Sequence, residues 1–384
     1  MIGIFDLSVP IDPTLSGIVD EDVQSMLRSL NLMTNILFCP KFSIENNVIK
    51  PNSRLSNFIS FIATVSLCVT YNFFLFPPLG NQINSHFFEI FIMILDCIFY
   101  EIGFIVNFFF CIILSNKNVQ FVLYFQSLHK FINNSADFNR FILWNWIIFA
   151  LFWIFYIFHC IYKTISMYIF LLDMLIVVIL IIFDVKIFYA FRIIKLLANK
   201  ANLWHKKILF PNICDNSCSK MFCKRMFQAY CLILKCYEIH ADCVQECILF
   251  SILEVFMHYL MYVHHSITQI KIGVMNDGRD VTIIILCITV FWLLKNFIFV
   301  ATLMLESERF YITAERIQDT CTLLLKKQCD GYERKLYKNV LRLHRASFHK
   351  ISVCGLFYVD AALQLSLTSL LTSYSIILLQ FAIL

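Results

Sequence analysis

Seven apolar stretches of membrane length divide this chain and leave few folds open to it. A bilayer core about 30 Å thick is crossed by roughly 20 predominantly apolar helical residues. Runs of that length cover Ser56–Phe76, Phe87–Leu114, Phe141–Tyr162, Tyr168–Phe191, Ile248–Thr268, Val281–Leu305 and Ala361–Leu384. Of the 384 residues, 60% are apolar and only 15% charged, whereas a soluble domain hydrates its surface with about 25% charged residues. With 41 Phe and only 8 Gly, the pattern is one of long aromatic-rich helices and not of short strands broken by turns. The expectation is an all-α integral membrane protein with seven transmembrane helices.

Direction follows from Lys and Arg, which cytoplasmic loops retain during insertion. The arm before the first run and the second-to-third, fourth-to-fifth and sixth-to-seventh connections hold 4, 3, 9 and 10 of the chain's 31 basic residues. The opposite side holds Lys163, Lys271 and Arg279, while Lys186 and Lys295 fall within runs. The predicted topology therefore places the N-terminus in the cytoplasm and the C-terminus outside. Residues 1–55 form a cytoplasmic arm and 56–191 the first four spans, followed by a cytoplasmic loop and helix extension over 192–247. Spans five and six occupy 248–305, cytoplasmic helices 306–358 and the last span 359–384. Both large cytoplasmic stretches read as helical; Leu336, Val340, Leu341 and Leu343 alternate there with Lys335, Lys338 and Arg342 in an amphipathic pattern.

Several functions are excluded by what is lacking or scattered. Met1–Asp22 has neither a basic start nor an apolar core, so no cleavable signal is expected there. The net charge of +5 is spread between apolar runs and forms no nucleic-acid patch. Cys214, Cys218 and Cys223 with His205 are too loosely spaced for a structural zinc site, so no metal or cofactor is expected. The sequon Asn133-Asn134-Ser135 falls on the predicted cytoplasmic side, where it stays unmodified. No nucleophile elbow, phosphate loop or HExxH pattern points to an enzyme.

In the last run Ser366, Ser369, Ser373, Ile377 and Gln380 recur at steps of three or four and share one helical face. Such a stripe lines a water-filled path if several copies meet around an axis. It equally lets helices approach closely within one bundle. Ser373-Tyr374, five further residues, then Gln380-Phe381 resembles the C-terminal signature of insect gustatory receptors, Thr-Tyr, five mostly apolar residues, Gln-Phe. The segment Cys354-Gly355-Leu356-Phe357 is similar to that family's Cys-Gly-Leu-Phe. Two departures are Ser373 for Thr and the polar Ser375, the latter arguing against the sugar-sensing branch.

The resemblance implies a homotetrameric or heterotetrameric, ligand-gated, non-selective cation channel in the plasma membrane of a sensory neuron. Its seventh helices would surround the pore, and cytoplasmic helices would meet in an anchor domain. By that likeness Gln380 and Phe381 fall at the outer constriction, Ile377 becomes a hydrophobic gate, Ser373 lines the path and Tyr374 supports the helix. The family's ligands enter the outer half of the bundle, where His159, Asp173, Tyr262 and Trp292 are the pocket candidates for a small organic tastant. Any of the intramembrane polar residues also serves as a tie between helices, for example Lys295 with Glu254 or Asp173. A G-protein-coupled receptor, which needs the opposite topology, and a transporter using Glu101 and Asp173 for proton coupling are the alternatives.

Overall fold

The structure, a computed structural model, describes residues 17–82, 87–133, 135–167, 171–210, 219–276, 279–327 and 329–383. Among them the chain is almost wholly helical. The described part of each of the seven apolar runs falls on a long helix: α2 (Arg54–Gln82), α3 (Phe87–Ile113), α5 (Ser135–Met167), α6 (Leu171–Leu209), α7 (Ser219–Asn276), α8 (Arg279–Lys326) and α10 (Ala361–Ile383). Three shorter helices join them: α1 (Glu21–Ile36), α4 (Ser115–Phe131) and α9 (Gly331–Ser347). Among the described residues five helices are long and apolar enough to cross a membrane, on parts of α3, α5, α7, α8 and α10. The fold is that of an all-α membrane protein.

Side-chain contacts fix the helix directions. Trp204 Nε1 donates to the carbonyl of Met226 at 2.7 Å, while Phe183 stacks on Phe250, so α6 and α7 run antiparallel. Asp184 meets Lys295, Lys195 meets Glu306 and His205 meets Thr320, so α6 and α8 run parallel. Pairs Asn145–Arg192 and Tyr156–Asp184 set α5 antiparallel to α6. The close approach of α3 to α7 depends on Gly103, where an added Cβ would lie 2.5 Å from the Phe250 ring.

The helices continue far past their apolar runs. At 1.5 Å per residue, the 58 residues of α7 extend about 85 Å, nearly three times the hydrocarbon thickness. The continuations of α6, α7 and α8 pack with α1, α4 and α9 into a basal bundle. Trp204, Tyr230, Phe310 and Tyr311 are sealed in its core. Tyr237 stacks on Phe310 at 4.5 Å and donates to the carbonyl of His349 at 2.7 Å. The N-terminal arm contributes a docked helix that the apolar scan did not foresee: Val23, Met26, Leu27, Leu30 and Met33 lie on one face of α1 and are buried. Asn145 Nδ2 donates to the carbonyl of Met26, tying α1 to α5.

Two short hairpins close the base. In the first, β1 (Ser43–Glu45) pairs antiparallel with β2 (Val48–Lys50), turning through Asn46 and Asn47 at φ 51° and 63°. Asn tolerates that left-handed region better than other non-glycine residues, as the primed turns of hairpins require. In the second, β3 (Ser352–Val353) pairs with β4 (Phe357–Tyr358), with Cys354 and Gly355 at φ 48° and 73°. That hairpin stands directly before α10. A Lys350–Asp360 ion pair of 3.1 Å joins its two ends, and Asp360 Oδ1 accepts from the amide of Leu363 to cap the helix.

Buried histidines of the basal bundle are held neutral. His129 on α4 has its pKa lowered to about 4, first by burial and then by the Lys200 ammonium, whose Nζ lies 2.8 Å from Nδ1. Burial likewise lowers His344 to about 4, with the Tyr230 hydroxyl 2.7 Å from its Nδ1.

Candidate functional site

Three faces of α10 have different surroundings. Leu367 and Leu371 are buried, Tyr374 packs edge-on against Phe256 of α7, and Ser375 donates to the Tyr259 hydroxyl at 3.0 Å. These residues dock the helix on α7. About a third of a turn away, Ser366, Ser369, Ser373, Ile377 and Gln380 are all exposed. Ser366 and Ser373 satisfy their hydroxyls on the carbonyls of Ala362 and Ser369, four residues back. Such a bond hides the donor and leaves the oxygen lone pairs on the surface. The remaining face carries Leu365, Thr368, Thr372, Ile376 and Leu379 and is exposed as well. The side chain of Phe381 lies outside the described residues.

Within the apolar part of the bundle two clusters of charged residues stand out among the described residues, while Glu101 stands apart, accepting from Asn72 Nδ2 of α2. In the first, Lys295 Nζ donates to Asp184 Oδ2 and to the Tyr156 hydroxyl at 3.3 Å, while Tyr156 donates to Asp184. The ammonium lies 3.8 Å from the centre of the Trp292 ring, a cation–π contact that offsets part of the cost of burying the charge. Among the described residues Lys295 thus pairs with Asp184, where the sequence offered Glu254 or Asp173 as examples; the side chain of Asp173 lies outside the described residues. In the second cluster the Tyr100 hydroxyl donates to Glu254 Oε1 at 2.9 Å and lies 2.9 Å from His258 Nε2. His258 also reaches Asp96 Oδ1 at 3.3 Å, and its ring lies 5.6 Å from that of Tyr262.

Of the four pocket candidates, the two whose side chains are described fall in different clusters. Trp292 belongs to the Lys295 cluster and is buried; Tyr262 belongs to the His258 cluster. The side chains of His159 and Asp173 lie outside the described residues. Tyr156 in the first cluster and Tyr100 in the second bridge the charged groups; neither is conspicuous in the sequence, because a buried tyrosine hydroxyl reads as one more aromatic until its partners are known.

Two of the recesses among the described residues lie below this level. One, of about 50 Å³, is lined by Cys39, Lys41, Asn107, Cys111, Lys186 and Cys247 among others, room for a water or two. The second, a recess of about 510 Å³ between α5 and α6, is strongly basic. Of the loose cysteine group, Cys214 and Cys218 lie outside the described residues, Cys223 is buried and His205 faces Thr320 at 2.7 Å. Among the described residues no group of three His, Cys, Asp or Glu is arranged to hold a metal.

No protein-family model matches the chain, and no curated protein matches it.

Proposed function

We propose that the chain is one subunit of a ligand-gated, non-selective cation channel of the insect gustatory receptor type, with seven spans, a cytoplasmic N-terminus and four copies around the last helix. The observation that carries this reading is that the Ser366-to-Gln380 stripe of α10 points away from its own subunit. A polar stripe on a membrane helix is not left to lipid when a like surface is available to cover it. Four such stripes around an axis form a hydroxyl-lined path with rings of Ile377, Gln380 and Phe381 towards its outer end. Neutral Gln380 there gives weak selectivity, and Ile377 closes the path by dewetting. The Cys354–Leu356 turn, standing immediately before α10, couples the pore helix to the basal bundle. A small organic ligand enters among the outer ends of α3 and α5 to α8, where Tyr262 and Trp292 supply aromatic faces alongside His159 and Asp173.

Disulfide cross-linking in membranes tests the axis without a known ligand. Ile377→Cys should form intersubunit disulfides on mild oxidation, and Ser373→Cys in expressing cells should react with a soluble thiol reagent and alter cation current. Leu365→Cys, on another face, should do neither. Equal cross-linking at Leu365→Cys, or none at Ile377→Cys, would overturn the reading. A second reading, a proton-coupled transporter, is favoured by the buried Asp184–Lys295 and Glu254–His258 clusters; substrate uptake that follows a proton gradient, abolished in Asp184→Asn, would support it instead.

A further inference from the structure

The basic recess between α5 and α6 has a construction that the channel reading does not use. From α6 come Arg192, Lys195, Asn199, Asn202 and Lys206, at steps of three and four along one helical face. From α5 come Arg140, Trp144 and Ile148, four residues apart. The recess sits where both apolar runs stop: the run on α6 ends at Phe191, and that on α5 begins at Phe141. Its upper wall is therefore apolar and aromatic, with Trp144 half exposed, as interfacial tryptophans are. Its lower wall is cationic.

Arg192 is the anchor. Its side chain is 2% exposed, its Nε donates to Asn145 Oδ1 at 2.6 Å, and its guanidinium lies 4.6 Å from the Phe141 ring. Its Nη2 has no hydrogen-bond partner among the described residues. A buried guanidinium with a spare donor fork is costly unless an anion completes it. Asn145 is itself held by the carbonyl of Met26, so the arginine is fixed before any ligand arrives. Lys195 is partly committed, 3.1 Å from Glu306 on α8. Arg140 and Lys206, at the rim, are exposed.

We propose that this recess binds the phosphorylated headgroup of an anionic membrane lipid, with a polyphosphorylated inositol phospholipid as its preferred occupant. A single phosphate would satisfy Arg192 alone, whereas four cations around about 510 Å³ suit several phosphates on one ring. The Asn199 and Asn202 amides suit ring hydroxyls. Trp144 and Ile148 take the glycerol and the first acyl carbons, which separates a lipid from a free inositol phosphate. Basic pockets between spans at the cytoplasmic surface recognise headgroups in this way. The assignment rests on the membrane character of the fold and on its basic half facing the cytoplasm, not on the channel reading.

The test uses the full chain purified in detergent, with bound lipid counted by native mass spectrometry against phosphatidylinositol bisphosphate, phosphatidylserine and phosphatidylcholine. The bisphosphate lipid should bind most tightly and phosphatidylcholine least. Loss of one rim cation should weaken it about fivefold, and Arg140→Gln with Lys206→Gln together more than tenfold. These exposed positions leave folding intact where Arg192→Gln disturbs Asn145. Lys207→Gln, one residue on and turned to the carbonyl of Phe131, should bind like the parent. No preference among the three lipids, an unaffected double variant, or an equal loss in Lys207→Gln would overturn the site. Soluble inositol trisphosphate binding as tightly as the lipid would overturn the lipid assignment, because the Trp144 wall would then contribute nothing.

Discussion

The membrane half and the basal bundle are built from the same apolar residues used in opposite directions. In the basal bundle Trp204, Tyr230, Phe310 and Ile317 are sealed inside, and charged residues such as Lys117 and Glu238 face out. In the membrane half Val69, Leu151 and Phe158 are more than half exposed, while Asp184, Glu254 and Lys295 are buried. The inversion shows which solvent each half answers to. Water makes apolar burial the driving force below. In lipid that force is absent between helices, and packing and hydrogen bonding hold the bundle together.

That contrast can be broken by matched substitutions. Trp204→Ala should cost about 3–5 kcal/mol, lowering the temperature at which the detergent-purified protein loses its monodisperse peak. Phe158→Ala should shift it little, and comparable losses would mean that both halves answer to one solvent. Lys295→Met leaves the Asp184 carboxylate unpaired and should cost about 3–5 kcal/mol, much of it recovered in the double variant Asp184→Asn with Lys295→Met. If the double variant is as unstable as the single one, the pair is not the tie described here.

Acid should act chiefly on the basal bundle. His129 and His344 have folded pKa values lowered to about 4, against about 6.5 unfolded. Between those values the unfolded chain binds more protons, so stability falls as pH drops from about 6.5 to 4 and levels off below. Thermal melting across that window should show the loss, and His344→Gln should flatten part of it. The smallest effect is expected at the exposed Lys117–Asp242 pair, 2.7 Å apart: Lys117→Ala should cost no more than about 1 kcal/mol, and less at high salt.

The long elements were legible because period and length suffice to find them: the described part of every apolar run falls on a helix. What the scan missed has specific reasons. Helix α1 is short and its buried stripe is no more apolar than that of a soluble helix, so a membrane-length window passes over it. The Asn46-Asn47 pair is a hairpin signal in itself, but strands of three residues on either side are too short to show an alternating pattern. The partner of Lys295 depended on how α6 and α8 rotate and align in depth, which no single helix encodes. The stripe on α10 was readable as a face; which neighbour it turns from was not. Arg192 stands immediately after Phe191, the last apolar residue of its run, and only the fold shows that Asn145 and Phe141 enclose it.

The 58-residue span of α7 carries a mechanical consequence. An uninterrupted helix resists bending, because a kink forfeits backbone hydrogen bonds. Held by α6 from Met226 to Phe250 and touching α10 at Phe256 and Tyr259, it is one stiff element that joins the basal bundle to the last helix. A shift of the basal helices would therefore be expected at the α10 contact as a rigid displacement, without a change of backbone conformation along the helix between.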